Sequence, residues 1–82
     1  MPGTYIVECR DGTLYTGSAM DVASRIEKHN SGKGAKYLRG RLPVTLKYVE
    51  YHETWPEALK HEFSIKSMNR ESKMELIRNY ES

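Results

Sequence analysis

The chain has 82 residues, 38% of them hydrophobic and 29% charged, with thirteen Lys and Arg against eleven Asp and Glu for a formal net charge of +2. That composition fits one small globular domain over residues 1–82, whose core hides only roughly 60% of the surface the unfolded chain exposes. No apolar run approaches the roughly 20 residues that span a bilayer, so a membrane helix is excluded, and a charge this modest does not by itself argue for nucleic acid.

In chain order, MPGTYIVECR lacks a basic segment followed by a long apolar one, so no secretory signal is expected. The single Cys9 has no intrachain partner, which fits a reducing cytoplasm and a buried strand position. TYIVEC is rich in β-formers, and LYTGS follows it after Arg10-Asp11-Gly12-Thr13, a strong hairpin signal. Two turns are compatible with it. A two-residue Asp11-Gly12 loop puts Tyr5 and Tyr15 on opposite faces of the hairpin. A three-residue loop over 10–12 with Gly12 left-handed pairs Cys9 with Thr13 and puts both tyrosines on one face.

Asp21 is placed to cap a helix running to about Asn30, with Gly32 just past its end. Val22, Ala23 and Ile26 form its apolar arc, and Arg25 and His29, four apart, stack along one edge of that arc. VTLKYVEYH (44–52) alternates as Val44, Leu46 and Tyr48 against Thr45, Lys47 and Val49, so it reads as a third strand. Thr54-Trp55-Pro56-Glu57 is a capping box that opens a second helix ending near Ser67. Its apolar arc is Ala58, Leu59, Phe63 and Ile65. Glu62 falls inside this arc, where a carboxylate needs a partner or a cation; Lys66 lies one turn on. Asn69 can cap a last helix carrying Met74, Leu76, Ile77 and Tyr80. The order β-β-α-β-α-α predicts an α+β fold, a three-stranded, mainly antiparallel sheet flanked by helices.

Charge is concentrated in RIEKHNSGKGAKYLRGR (25–41), which carries six of the thirteen Lys and Arg, an electrostatic footprint suited to phosphate. SGKGAK has the flavour of a nucleotide-binding loop but not its spacing, and it follows a helix instead of opening one. A structural zinc site is not expected, because His29, His52, His61 and Cys9 lack the usual ligand spacings. His61 reads as a surface residue, pointing about 100° away from Glu62 on the helix. A Cys9–His29 nucleophile pair has no support beyond the presence of both residues.

What remains is a set of polar groups beside apolar surfaces: Tyr5, Tyr15, Arg25, His29 and Glu62. With them the chain resembles the GIY-YIG nuclease superfamily, particularly its small stand-alone bacterial members, related to the N-terminal nuclease module of UvrC. The resemblance runs from about Tyr5 to Ile77. It rests on Thr4-Tyr5-Ile6 in the place of GIY, Tyr15-Thr16-Gly17 in the place of YIG, Arg25-Ile-Glu-Lys-His29, HNSGKGAKYLRGR, and Glu62 within EALKHEFSIK. In this frame Thr4 replaces a glycine and Thr16 an isoleucine. Larger members also carry a later Asn near the site.

The resemblance implies a metal-dependent endonuclease acting on DNA, at nicks, flaps, branches or damage, with RNA as an open alternative. Glu62 would hold one Mg²⁺ or Mn²⁺ whose remaining ligands are water and phosphate oxygen. Arg25 would grip the phosphate through its forked donors. Tyr15, positioned by Tyr5, would bind or deprotonate the attacking water, and a phenol near pKa 10 needs a neighbour such as His29 or the metal for that. Lys33, Lys36, Arg39 and Arg41 would track the nucleic-acid backbone. The mechanism demands both tyrosines on one sheet face. Two other classes remain in view: a nucleic-acid-binding module without turnover, which has no need of a carboxylate beside phosphate, and a partner-binding adaptor. A protein partner or a homodimer is left open.

Overall fold

The computed structural model describes residues 1–81. Strands β1 (Gly3–Glu8) and β2 (Leu14–Ala19) are followed by helix α1 (Val22–Asn30), a 3-10 turn over Lys36–Leu38, strand β3 (Thr45–Tyr51), and helices α2 (Trp55–Lys66) and α3 (Arg70–Glu81). The α+β order expected from the sequence is the one observed. The sheet is antiparallel throughout in the order β2-β1-β3, with β1 in the middle. A central strand is covered on both faces, and Gly3 to Val7 are accordingly all buried. No described helix is long and apolar enough to cross a membrane.

The hairpin uses the three-residue loop. Cys9 N–H donates to the Thr13 carbonyl at 2.8 Å, Gly12 N–H donates to the Cys9 carbonyl at 2.9 Å, and Gly12 is left-handed at φ 87. Asp11 fixes the turn by accepting from the Thr13 amide at 3.1 Å and the Thr13 hydroxyl at 2.7 Å. The resulting register pairs Tyr5 with Gly17 and Val7 with Tyr15. Directly paired residues share a face, so Tyr5, Val7 and Tyr15 point the same way.

Each face has its own core. Tyr5, Val7, Cys9, Ala19, Val22, Leu38 and Val44 pack on the α1 side; Ile6, Tyr48, Ile65 and Ile77 pack on the α2–α3 side. The helix starts follow the sequence signals. Asp21 accepts from Ser24 N–H at 3.1 Å, Thr54 and Glu57 form a reciprocal capping box, and Asn69 accepts from Ser72 N–H at 2.8 Å. Helix α1 ends at Ser31, with Gly32 left-handed at φ 84.

Three expectations need correction. The alternation read for β3 breaks at a bulge: Ile6 pairs with Tyr48 but Val7 with Leu46. Lys47 is the extra residue, so Leu46 and Tyr48 take opposite faces, and Leu46 is left 37% exposed. In α2 only Ala58 and Ile65 are buried, while Leu59 and Phe63 are 43% and 78% exposed. The helix sits low on the sheet because the small Ala58 forms the contact. Its carbonyl accepts from Thr4 Oγ1 at 2.7 Å and Ser18 Oγ at 3.2 Å, and among the described residues no further layer covers its outer side. In α1 Ala23 is exposed, and a buried His29 completes the inner face instead.

Candidate active site

Gly17 decides where Tyr5 goes. A Cβ at position 17 would stand 2.5 Å from the Tyr5 hydroxyl oxygen and 2.7 Å from Cζ. The bare glycine therefore lets the Tyr5 ring cross over β2, the edge strand. There the hydroxyl meets His29 Nε2 at 2.8 Å, and each of the two residues is only 1% exposed. Gly34 plays the matching part on the other side of the ring, since a Cβ there would strike the imidazole. The loop backbone closes on His29, and Ala35 N–H donates to Nδ1 at 3.3 Å. A neutral imidazole that accepts at Nδ1 carries its proton at Nε2. His29 thus donates to Tyr5, and in this tautomer it does not relieve the phenol of a proton.

Burial pushes the Tyr5 phenol up to about 12; Arg25 beside it pulls the other way, and the charges of Tyr15 and Glu62 push it further up. Tyr5 is therefore a neutral phenol at neutral pH. Burial, and then the Arg25 charge, hold His29 below the usual imidazole range. Arg25 from α1 and Glu62 from α2 both act on one hydroxyl, although their helices lie on opposite sides of the sheet. Tyr15 stands edge-on to His29, with ring centres 5.8 Å apart at 77°. Its other neighbour is the Tyr37 ring, stacked at 5.8 Å and 24°.

Glu62 accepts from Lys66 Nζ at 2.8 Å. That hydrogen bond is the main reason Lys66 titrates above its ordinary range, and the charge of Tyr15 adds to it. The structure thus packs Tyr5, Tyr15 and His29 against one another, with Arg25 and Glu62 within electrostatic reach of the Tyr5 hydroxyl and Lys66 paired to Glu62. Of the basic loop, Lys33, Lys36 and Arg39 are exposed. Arg41 is committed elsewhere: it pairs with Asp11 at the hairpin turn and lies over the Tyr37 ring, 4.5 Å from its centre.

A metal at this site would have Glu62 as its protein ligand, for among the described residues no group of three His, Cys or acidic donors converges there. A lone carboxylate fits a magnesium-like ion that keeps most of its water, provided Lys66 releases it. The histidines dismissed for zinc are a different matter. His52 and His61 converge with Glu50, and His61 is packed against Tyr48 instead of standing free on the surface. Ligand-spacing rules miss this group because its members come from a strand end and a helix. The available signal was Glu50-x-His52, two residues that share one face of a strand.

Comparison with known proteins bears on the family and the fold. The family model for the GIY-YIG catalytic domain matches residues 1–75. The chain belongs to the GIY-YIG family. It is 57% identical over 74 residues to UPF0213 proteins of Staphylococcus aureus strains Mu3 and N315, covering 90% of this chain and 90% of each relative. It is also similar to the solution NMR structure of a UPF0213 protein from Bacillus halodurans, at TM-score 0.61 and 44% identity over 95% of this chain and 84% of the other. A solution NMR structure of an E. faecalis protein gives TM-score 0.62 and 34% identity over 96% and 84%. GIY-YIG is a family of nucleases that use divalent metal ions.

Within this GIY-YIG chain the first tripeptide is better framed one residue earlier, as Gly3-Thr4-Tyr5. Gly3 has a glycine's reason to be there: a Cβ would stand 2.9 Å from Val22 Cγ2 and 3.1 Å from Tyr51 Cδ1. The family glycine is therefore present, and the departures fall on the middle positions, Thr4 and Thr16. Thr4 is satisfied by the Ala58 carbonyl. Thr16 is not, since its buried hydroxyl has no hydrogen-bond partner among the described residues. Asn69 serves as the cap of α3.

Proposed function

We propose that this GIY-YIG protein is an endonuclease hydrolysing phosphodiester bonds in DNA, with one Mg²⁺ or Mn²⁺ held by Glu62. In this reading it works in the cytoplasm as a single domain over residues 1–82, on nicked, branched or otherwise damaged duplexes. The carrying observation is that Arg25 and Glu62, with opposite charges, act on the same Tyr5 hydroxyl. That supports a reading in which Arg25 grips phosphate and Glu62 holds the metal beside one pair of tyrosines.

Hydrolysis forms a bond from water oxygen to phosphorus as the bond to the leaving sugar oxygen breaks. Arg25 offsets the charge that builds on the phosphate. Tyr5 is fixed by His29 and remains protonated, so it orients; Tyr15, less buried, accepts a hydrogen bond from the attacking water, whose proton is lost to solvent while the leaving sugar oxygen takes one up from solvent. When bound, the ion supplies Lewis-acid withdrawal of charge from phosphate oxygen and a more acidic water. Lys33, Lys36 and Arg39 follow the DNA backbone, so affinity falls as salt rises, while Arg41 braces Tyr37.

The Glu62–Lys66 pair favours a second reading, a nucleic-acid-binding module without turnover, because a carboxylate neutralised by lysine no longer repels phosphate. Incubation with nicked, branched and single-stranded DNA, and with RNA, in Mg²⁺ or Mn²⁺ separates the two. Cleavage lost in Glu62→Ala and Arg25→Ala is the expected result. Salt-sensitive binding with no cleavage under any condition would establish the second reading, and cleavage that survives both substitutions would discard the site.

A further inference from the structure

Glu50 lies on β3 and His52 just beyond its end, and His61 on α2 faces them. One ligand atom from each lies within 4.8 Å of the others. The hydrogen bonds already present leave the group incomplete. Tyr48 donates its hydroxyl to Glu50 Oε1 at 3.2 Å and stands 3.0 Å from His61 Nε2. Glu50 Oε2 is 3.7 Å from His52 Nε2 and 3.8 Å from His61 Nε2, beyond hydrogen-bond reach. His52 Nε2 is buried without a hydrogen-bond partner among the described residues, an arrangement that costs stability unless something fills it.

We infer that Glu50 Oε2, His52 Nε2 and His61 Nε2 form a binding site for a transition-metal dication of the zinc class, on the sheet face opposite the Tyr5–His29 pair. Ligand atoms about 2.1 Å from a tetrahedral zinc stand ~3.4 Å apart, so the two spacings from Oε2, 3.7 and 3.8 Å, close with movements of a few tenths of an ångström. The two imidazoles, within 4.8 Å of each other, draw together by up to ~1.4 Å through side-chain rotation. Two imidazoles and one carboxylate suit zinc, and not magnesium, which takes oxygen ligands. Tyr48 holds Oε1 and leaves Oε2 to the ion, the orienting role expected of a group behind a metal ligand; zinc takes the place of the Tyr48 hydroxyl at His61 Nε2, whose proton is then carried at Nδ1. The fourth position opens on a shallow depression lined by His52, Glu57, Lys60, His61 and Ser64, where water completes the shell. The ion would tie the end of β3 to α2 one residue before Glu62, and the inference does not depend on the nuclease reading.

The test is titration of the tag-free full chain with Zn²⁺, and separately with Mg²⁺, by calorimetry and thermal melting, with Co²⁺ as an absorbance probe of coordination. One zinc per chain is expected, with the intense visible bands of four-coordinate cobalt. At free zinc about 100-fold above Kd the folding equilibrium shifts ~100-fold, raising Tm by upwards of about 10 °C. His52→Asn, His61→Gln and Glu50→Gln keep side-chain size, and circular dichroism checks that each is folded; each should lose the tight zinc and the cobalt bands. Glu62→Ala should keep both. Absence of a stoichiometric zinc, zinc retained in all three variants, or zinc lost only with Glu62 would overturn the site.

Discussion

Each face of the sheet carries a tyrosine hydrogen-bonded to a histidine: Tyr5 to His29 Nε2 at 2.8 Å on the α1 side, and Tyr48 to His61 Nε2 at 3.0 Å on the α2 side. Both phenols are pushed up to about 12, chiefly by burial. What differs is the company. Arg25 attends Tyr5, and a backbone amide fixes the His29 tautomer. Glu50 attends Tyr48, and a second imidazole, His52, lies 5.1 Å from His61 between ring centres. A cation beside the first pair prepares it for an anion such as phosphate, whereas a carboxylate beside the second prepares it for a cation. The Tyr–His motif is neutral scaffolding, and the third residue sets the chemistry.

Exchanging the two faces in an activity assay should break the symmetry most sharply. Arg25→Ala should lower kcat/KM by about 10²–10³-fold with an unchanged melting curve, while Tyr48→Phe should leave it within about twofold. Equal losses from both would show that the faces are not separate. The next effect is on packing. Gly17→Ala forces the Tyr5 ring off β2 and should cost about 1–3 kcal/mol in chemical denaturation. Gly40→Ala, where an added Cβ meets nothing, should stay within about 0.5 kcal/mol of the parent.

Thr16 tests the α2 face in the opposite direction. Thr16→Val removes a buried unpartnered hydroxyl at nearly constant shape and should raise stability by about 1 kcal/mol in the same measurement. The smallest effect is on the pH profile. Folded His29 titrates below its unfolded value, owing to burial and Arg25, and Tyr5, Tyr15 and Arg25 are the titratable and charged groups around it. The unfolded chain therefore binds the extra proton first as pH falls past about 6.5, so stability drops there and recovers as pH rises again. The urea midpoint should show this slope, and His29→Gln should flatten it.

Much of this was legible in the residues. Asp11-Gly12 admits just two turns, and the site chemistry selects between them; the structure shows the one that aligns the tyrosines. Capping signals at Asp21, Thr54 and Asn69 are local, and each marks its helix start. The bulge at Lys47 was hidden, because strict alternation fits a register that only the central strand can break. The apolar arc of α2 misled for a related reason. Helical periodicity shows which residues line up but not how close the helix lies, and Ala58 brings it near enough to leave Phe63 outside. The grouping of Glu62 with Lys66 follows from i,i+4 spacing. That of Glu50, His52 and His61 depends on the docking of α2 against β3, which no local rule encodes.

The hydrogen bond from Ala35 to His29 has a consequence of its own. Lys33 and Lys36 flank it in sequence, so on the proposed reading a nucleic-acid strand pulling on those lysines would pull on the amide that holds Nδ1. If the loop lifts, the imidazole is free to exchange which nitrogen carries its proton, and Tyr5 loses its donor. Contact with the backbone of the proposed substrate would thereby be linked, through one peptide N–H, to the protonation pattern of the Tyr5–His29 pair.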